Sequence, residues 1–232
     1  MKIEELKKYF DELEIECDEQ KLNQLNDLMH STLSQNEKFN LTAITDENVF
    51  VEKMILDSAI ALKDLELDDK NIIDIGTGAG YPGMVLRILS NANVTLLDST
   101  KKKIDYLCEY AKEKNLFIKG VSDRAEEYAR KNIEKYDYVF ARAVASLNIL
   151  LEIIMSLLKV NGYFIAMKGP GYEDEINASS NAFKKLGCHV ESIFETTLPE
   201  CGEVRAIIRI KKDKSTNKKY PRQYGEIKKL PL

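Results

Sequence analysis

One stretch of the chain carries the residue types needed to hold a nucleotide-like ligand. It reads Asp74-Ile-Gly76-Thr-Gly78-Ala-Gly80-Tyr81-Pro82-Gly83 and continues the apolar run that begins at Asn71. Glycines remove Cβ where a backbone must turn sharply or approach a ligand. Pro82 suits the first turn of a following helix. The next apolar run, Val94 to Leu97, ends on Asp98. A carboxylate at such a strand end can accept from both hydroxyls of a ribose. Gly78, Gly80 and Gly83 also satisfy the dinucleotide pattern, with Asp98 at the matching distance, so the glycines alone leave the ligand open. Two features favour S-adenosylmethionine over a nicotinamide dinucleotide. Asp74 precedes the first glycine, where a carboxylate helps a cationic sulfonium and repels a pyrophosphate. No second domain for hydride transfer follows. A tight turn without a ligand is the plain alternative.

These residues need strands and helices to place them. Up to residue 70, apolar side chains recur at helical spacing (Ile3, Leu6, Phe10, Leu13; then Leu22, Leu25, Leu28, Met29), with Asp18 and Asp46 as helix starts. From Asn71 short apolar runs alternate with amphipathic stretches. The runs are 71–75, 94–97, 117–119, 136–141, 163–167, 190–194 and 204–210. Helices are expected over 82–89, 101–114, 122–131, 147–158 and 174–186. Such alternation predicts right-handed crossovers and a mostly parallel α/β sheet. The last two runs are joined only by a turn near Pro199 and Gly202, so they should close the sheet as an antiparallel hairpin. The chain thus divides into a helical extension over 1–70 packed on the sheet, a sheet domain over 71–211, and a basic, extended tail over 212–232.

The chain has 232 residues, 44% hydrophobic and 31% charged, which excludes a disordered or fibrous protein. The most apolar window, Ala143 to Val160, is broken by Ser146, Asn148, Glu152 and Ser156, so no membrane span is expected. The amino terminus is charged throughout and is not a secretory signal, and Cys17, Cys108, Cys188 and Cys201 are scattered. Both point to a cytosolic protein with reduced thiols. His30 and His189 lack partners at ligand spacing, so no metal site is expected. The net charge of −4 argues against an indiscriminate nucleic-acid binder. It conceals a gradient. Residues 1–70 hold 8 basic and 18 acidic side chains, while residues 205–232 hold 10 basic against 2 acidic. A basic end can contact a polyanion or merely keep the protein soluble.

With these residues in view, the chain resembles the ribosomal RNA small subunit methyltransferase G family, also called glucose-inhibited division protein B. The stretches that carry the resemblance are Asn40-Leu-Thr42, Ile55-Leu-Asp57-Ser58, the glycine loop from Asp74, LLDSTKKKIDYL from Leu96, RAEE from Arg124, ARAVASL from Ala141, AMKG from Ala166 and KYPR from Lys219. The resemblance implies a class I, Rossmann-like methyltransferase fold with a seven-stranded sheet. It implies S-adenosylmethionine as cofactor and N7 of a guanine in the decoding region of 16S rRNA as target. It also implies that Gly76, Gly78, Gly80, Tyr81 and Asp98 line the cofactor pocket. Ala125 and Glu126 would lie beside the adenine, and Arg142 would close the pocket near the methyl. Many family members carry histidine where this chain has Met54, which leaves no charged group at that place.

Guanine N7 carries no proton, so its methylation needs positioning rather than a general base. Asp74 could act through its field on the positive charge that develops. RNA is expected to meet Lys101, Lys102, Lys103, Lys168, Lys218, Lys219 and Arg222, with Tyr220 and Tyr224 available to stack. A solvated helical turn is the alternative for 101–103. The partner is then 16S rRNA or the small ribosomal subunit, and a monomer is expected. A class I enzyme for another substrate and a non-catalytic assembly factor with the same fold are the competing readings.

Overall fold

A computed structural model describes residues 1–232. Its centre is one seven-stranded sheet in the order β3-β2-β1-β4-β5-β7-β6. The strands are β1 Asn71–Ile75, β2 Asn93–Asp98, β3 Ile118–Ser122, β4 Tyr136–Arg142, β5 Leu158–Lys168, β6 Cys188–Thr197 and β7 Val204–Lys212. Strands β1 to β5 pair in parallel, and β7 runs antiparallel to both β5 and β6. The expected terminal hairpin is present. Strand order reverses between β1 and β4, the place where open α/β sheets leave a crevice at their carboxyl ends.

Period-two alternation sends successive strand residues to opposite faces. Ile72, Leu96, Phe140 and Ile165 face one layer, while Ile73, Leu97, Val139 and Ala166 face the other. The first layer holds α1 Leu6–Glu12, α2 Glu19–Asn36, α3 Glu47–Phe50, α4 Asp57–Ile60, α5 Gly83–Leu89 and α6 Lys101–Glu113. A π-helical turn, Val51–Leu56, joins α3 to α4. Asp18 caps α2 through the Lys21 amide at 2.8 Å, and Asp46 caps α3 through the Val49 amide at 3.0 Å. Leu6, Phe10, Leu25 and Leu28 share one core with Ile72, Met84 and Leu86, so the acidic helices bury their apolar stripe on the sheet layer. The second layer is α7 Ala125–Lys131, α8 Leu147–Ile154, α9 Tyr172–Ala178, α10 Ser180–Leu186 and α11 Tyr224–Lys229. No helix is long and apolar enough to cross a membrane.

Several expected boundaries move. Ser122 ends β3 rather than opening a helix, because it pairs with Asp98. The helix expected to reach residue 158 stops at Ile154, since Leu158 already pairs with Tyr136 on β4. The helix expected over 174–186 is two, α9 and α10, divided at Ser179. The largest correction concerns the end of the chain, which is not an extended tail. Tyr220, Ile227 and Leu232 are buried in the second core with Leu147, Leu151 and Ile154. Apolar residues interleaved with the lysines anchor it. Lys212 is buried as well, its Nζ donating to the Leu158 carbonyl at 2.7 Å and to Glu134 at 3.1 Å.

Candidate active site

The glycine loop connects β1 to α5 and is tied internally by its two aspartates. Asp74 is buried, and its Oδ2 accepts from Thr77 Oγ1 at 2.7 Å and from the Gly83 amide at 2.8 Å. Burial pushes its carboxyl up to about 6, against the lowering effect of those two bonds. Its Oδ1 is buried without a partner. Asp98 bridges the loop to β2: Oδ2 accepts from the Gly78 amide at 3.0 Å and Oδ1 from the Thr100 amide at 2.8 Å. Two glycines are required by geometry. Gly76 has φ +69°, and a Cβ there would lie 2.6 Å from Val144 Cγ2. A Cβ on Gly83 would lie 2.2 Å from Leu96 Cδ2 and 2.9 Å from Asp74 Oδ2.

A cavity of about 290 Å³ opens over the ends of β1, β2 and β3. Gly76, Leu97, Asp98, Ala125, Glu126 and Tyr224 contribute to it, and α8 supplies Ile149, Leu150 and Ile153 as an apolar floor. Of the expected cofactor residues, Gly76, Asp98, Ala125 and Glu126 therefore meet at one place. Glu126 is buried and accepts from Arg124 Nε at 3.1 Å. Gly78 and Gly80 shape the loop without lining this cavity. Tyr81 is a correction. It points into the first core, where its ring meets Phe50 edge-on at 5.4 Å and its hydroxyl lies 3.3 Å from Thr32 Oγ1.

A second cavity, of about 720 Å³, lies beside the first over the ends of β4 and β5. Ala143, Val144 and Ala145 line both. Ala143 has φ +54°, an unfavourable conformation for a residue with a Cβ, at the divide between the two spaces. Arg142 belongs to the second cavity rather than the first. Its Nη1 donates to the Lys53 carbonyl at 3.0 Å and to Asp57 Oδ2 at 3.3 Å, and its Nη2 to Met54 Sδ at 3.4 Å. Met54 is thus a weak acceptor, a role open to a thioether that side-chain type alone did not suggest. Asp57 is buried between two cations, with Arg205 Nε 3.2 Å from its Oδ1. Across the cavity Lys168 Nζ donates to Glu175 at 2.7 Å and to the Ala145 carbonyl at 2.9 Å.

The expected RNA contacts divide into free and engaged groups. Lys101, Lys102, Lys218 and Lys219 are exposed and Lys103 is half-exposed; Lys101 pairs with Asp105 at 2.7 Å. Lys168 is held by Glu175. Arg222 is held by Glu152, a fully buried carboxylate of α8 that takes the Arg222 amide at 2.9 Å, Nε at 2.8 Å and Nη2 at 2.6 Å. Tyr220 is buried and offers no face to solvent, whereas Tyr224 turns to the first cavity. Sequence reasoning missed Asp57, Arg205 and the place of Tyr224. Only Asp57 had a local signal, an acid within the apolar run Ile55 to Ile60.

The first cavity fits S-adenosylmethionine. It joins a bare Cα at Gly76, a carboxylate at the end of β2 and an apolar shelf, and Asp74 Oδ1, buried beneath the loop, has no hydrogen-bond partner. Comparison with known proteins decides the family. The family model for rRNA small subunit methyltransferase G matches residues 20–207. The chain belongs to this family. Ribosomal RNA small subunit methyltransferase G of Caldicellulosiruptor bescii is 46% identical over 88% of this chain and 89% of its own. The Fusobacterium nucleatum protein of the same name is 41% identical over 98% of this chain and 100% of its own. Among solved structures, M. jannaschii TYW2 in complex with AdoMet superposes with a TM-score of 0.56 over 68% of this chain and 74% of that one, at 17% identity. A TehB-like SAM-dependent methyltransferase from Corynebacterium glutamicum gives 0.52 over 68% and 88%, at 17% identity. These two likenesses support the class I methyltransferase fold. As a member of the rRNA small subunit methyltransferase G family, the chain is an S-adenosylmethionine-dependent methyltransferase of small-subunit ribosomal RNA.

Proposed function

We propose that the two adjoining cavities divide the reaction between them, and that the guanine of 16S rRNA's decoding region enters the second with N7 turned toward the first. The observation that carries this reading is the shared wall at 143–145, where the two cavities adjoin. S-adenosylmethionine supplies a methyl group on a cationic sulfur. The chain's own residues hold, orient and shield. In this reading Asp98 holds the ribose hydroxyls and Gly76 the amino-acid portion, so the adenine extends over the end of β3 toward Ala125 and Glu126. Guanine offers an acceptor at O6 and donors at N1 and N2. The second cavity offers donors from Arg142, Arg205 and Lys168 and acceptors on Asp57 and Glu175, a set that matches it.

Because N7 has a free lone pair, no side chain needs to remove a proton. The alkylated guanine gains a positive charge, and Asp57, paired with Arg142 and Arg205, keeps those two guanidinium groups from opposing it. Asp74 supports the loop and adds a negative field when ionised. Lys102, Lys103, Lys218 and Lys219 form the free basic groups for phosphate contacts, and Lys101 joins them by exchanging Asp105 for a phosphate. A monomer acting in the cytoplasm is sufficient, since both cavities are built from a single chain. The deciding experiment maps N7-methylguanine in 16S rRNA from cells with and without this protein. A single mark lost with the protein is expected, and an unchanged map overturns the assignment.

A further inference from the structure

The carboxy-terminal segment supplies a side chain to the first cavity. Tyr224 lines it together with Arg124, Ala125 and Glu126, at the end nearest β3. The Arg124 guanidinium lies over the Tyr224 ring, 4.9 Å from its centre, and so fixes the plane of the ring. The segment that carries Tyr224 is anchored on both sides. Upstream, Arg222 makes three bonds to the buried Glu152, and Arg130 Nε donates to the Pro221 carbonyl at 3.2 Å. Downstream, Ile227 is fully buried. A ring delivered to a ligand cavity by such a clamp, two residues past the anchoring arginine, is a built wall.

Topology says what it would touch. Cavity residues run Gly76 after β1, Asp98 at the end of β2 and Ala125 after β3, in the spatial order β1, β2, β3. A ribose held at Asp98 therefore directs its base to the β3 end, where Tyr224 stands. We infer that Tyr224 is the wall on which the adenine of S-adenosylmethionine stacks, with Arg222 and Glu152 as the positioning pair. This rests on the first cavity being the cofactor site. A ring has two faces; Arg124 takes one, and a flat aromatic base is the ligand part best matched to a second. The basic end of the chain thus contributes to cofactor affinity as well as to RNA contact.

Calorimetry on the full-length protein tests this with S-adenosylhomocysteine and with 5′-deoxy-5′-methylthioadenosine, which keeps the adenine and ribose but lacks the amino acid. Tyr224→Leu keeps an apolar side chain and removes the ring, and Tyr224→Phe keeps the ring. Stacking of a base on an aromatic side chain predicts roughly a tenfold loss of affinity in Tyr224→Leu, by the same factor for both ligands, and little change in Tyr224→Phe. Arg222→Ala, with Tyr224 intact, should weaken both ligands as well. Wild-type binding with Tyr224→Leu within about twofold of it overturns the inference while leaving the cofactor site in place. A loss confined to S-adenosylhomocysteine also overturns it, since the contact would then be to the amino-acid end. Failure of the wild-type chain to bind either ligand overturns the cofactor site itself.

Discussion

Asp74 and Gly83 close the glycine loop on itself: the carboxylate accepts from the amide at 2.8 Å across nine positions of sequence. Both bonds to Asp74 fall on Oδ2, and Oδ1 has none. Asparagine could keep both bonds on its carbonyl oxygen and place the amide where no partner is lost. Burial holds the carboxyl up to about 6, above its value of 3.8 in the unfolded chain. The folded state therefore binds more protons than the unfolded one between those values. Stability from this group is fully present below pH 4 and is lost as pH rises through about 6, by up to about 3 kcal/mol. Asp74→Asn should remove that slope. Urea denaturation from pH 4 to 7.5 reads it, and a parallel decline in both proteins would refute the assignment.

Asp57 is the acceptor most enclosed by cations in the second cavity. Asp57→Asn preserves the shape but halves its capacity to accept. If the residue reads the guanine, kcat/KM on 30S subunits or 16S rRNA falls by at least about tenfold, the scale of a lost hydrogen bond to a charged group. Affinity for S-adenosylhomocysteine should stay within about twofold. Loss of cofactor binding instead would place Asp57 in the architecture of the first cavity.

The docked end of the chain makes its deletion uninformative about RNA, because Tyr220, Ile227 and Leu232 would leave the core with it. Charge alone can be removed at Lys218, Lys219, Lys228 and Lys229, which are exposed. Replacing all four with glutamine should weaken rRNA binding at low salt. The log–log dependence of affinity on salt should become shallower by up to about 3, from about 0.7 per phosphate contact on single strands. Filter binding across a salt series decides it, and identical slopes would remove this end from the RNA surface.

Glu152→Gln tests the clamp on the same segment. The glutamine oxygen can still take the Arg222 amide and Nε, but its NH2 cannot accept from Nη2 and the countercharge is gone, which should cost about 2 kcal/mol. Trypsin should then make its first cut after Lys218, Lys219 or Arg222 sooner than in the wild type, with the rest of the fold intact by circular dichroism. Equal cutting times would mean that the apolar anchors alone hold the segment.

The sheet could be read from sequence because its signals are local. Asn71–Ile75 carries its own apolar run, and the cluster of glycines after it marks a turn that must come close to something. Gly76, Asp98, Ala125 and Glu126 come together once parallel strands are placed side by side, since they occupy neighbouring strand ends. Arg222 and Lys168 could not be read so. Each is a basic residue whose partner lies far along the chain or around a loop, Glu152 and Glu175, and only the folded state decides whether a lysine or arginine meets solvent or a buried carboxylate. Glu152 was visible as a break in an apolar window, without any mark of what would neutralise it. Tyr224 was legible as an aromatic among cations; its turn toward the first cavity depends on Ile227 and Arg222 fixing the chain on both sides.

The π-helical turn at Val51–Leu56 has a consequence for how this part of the chain can vary in length. Such a turn holds one residue more than the α-helix around it. Removing one residue there would restore regular winding with α3 and α4 close to their present phase. Phe50, which meets Tyr81, and Asp57, which meets Arg142, would then both keep their partners. This turn is the place where the connection can lose a residue, whereas a deletion inside α3 or α4 would turn one contact away from the other by about 100°.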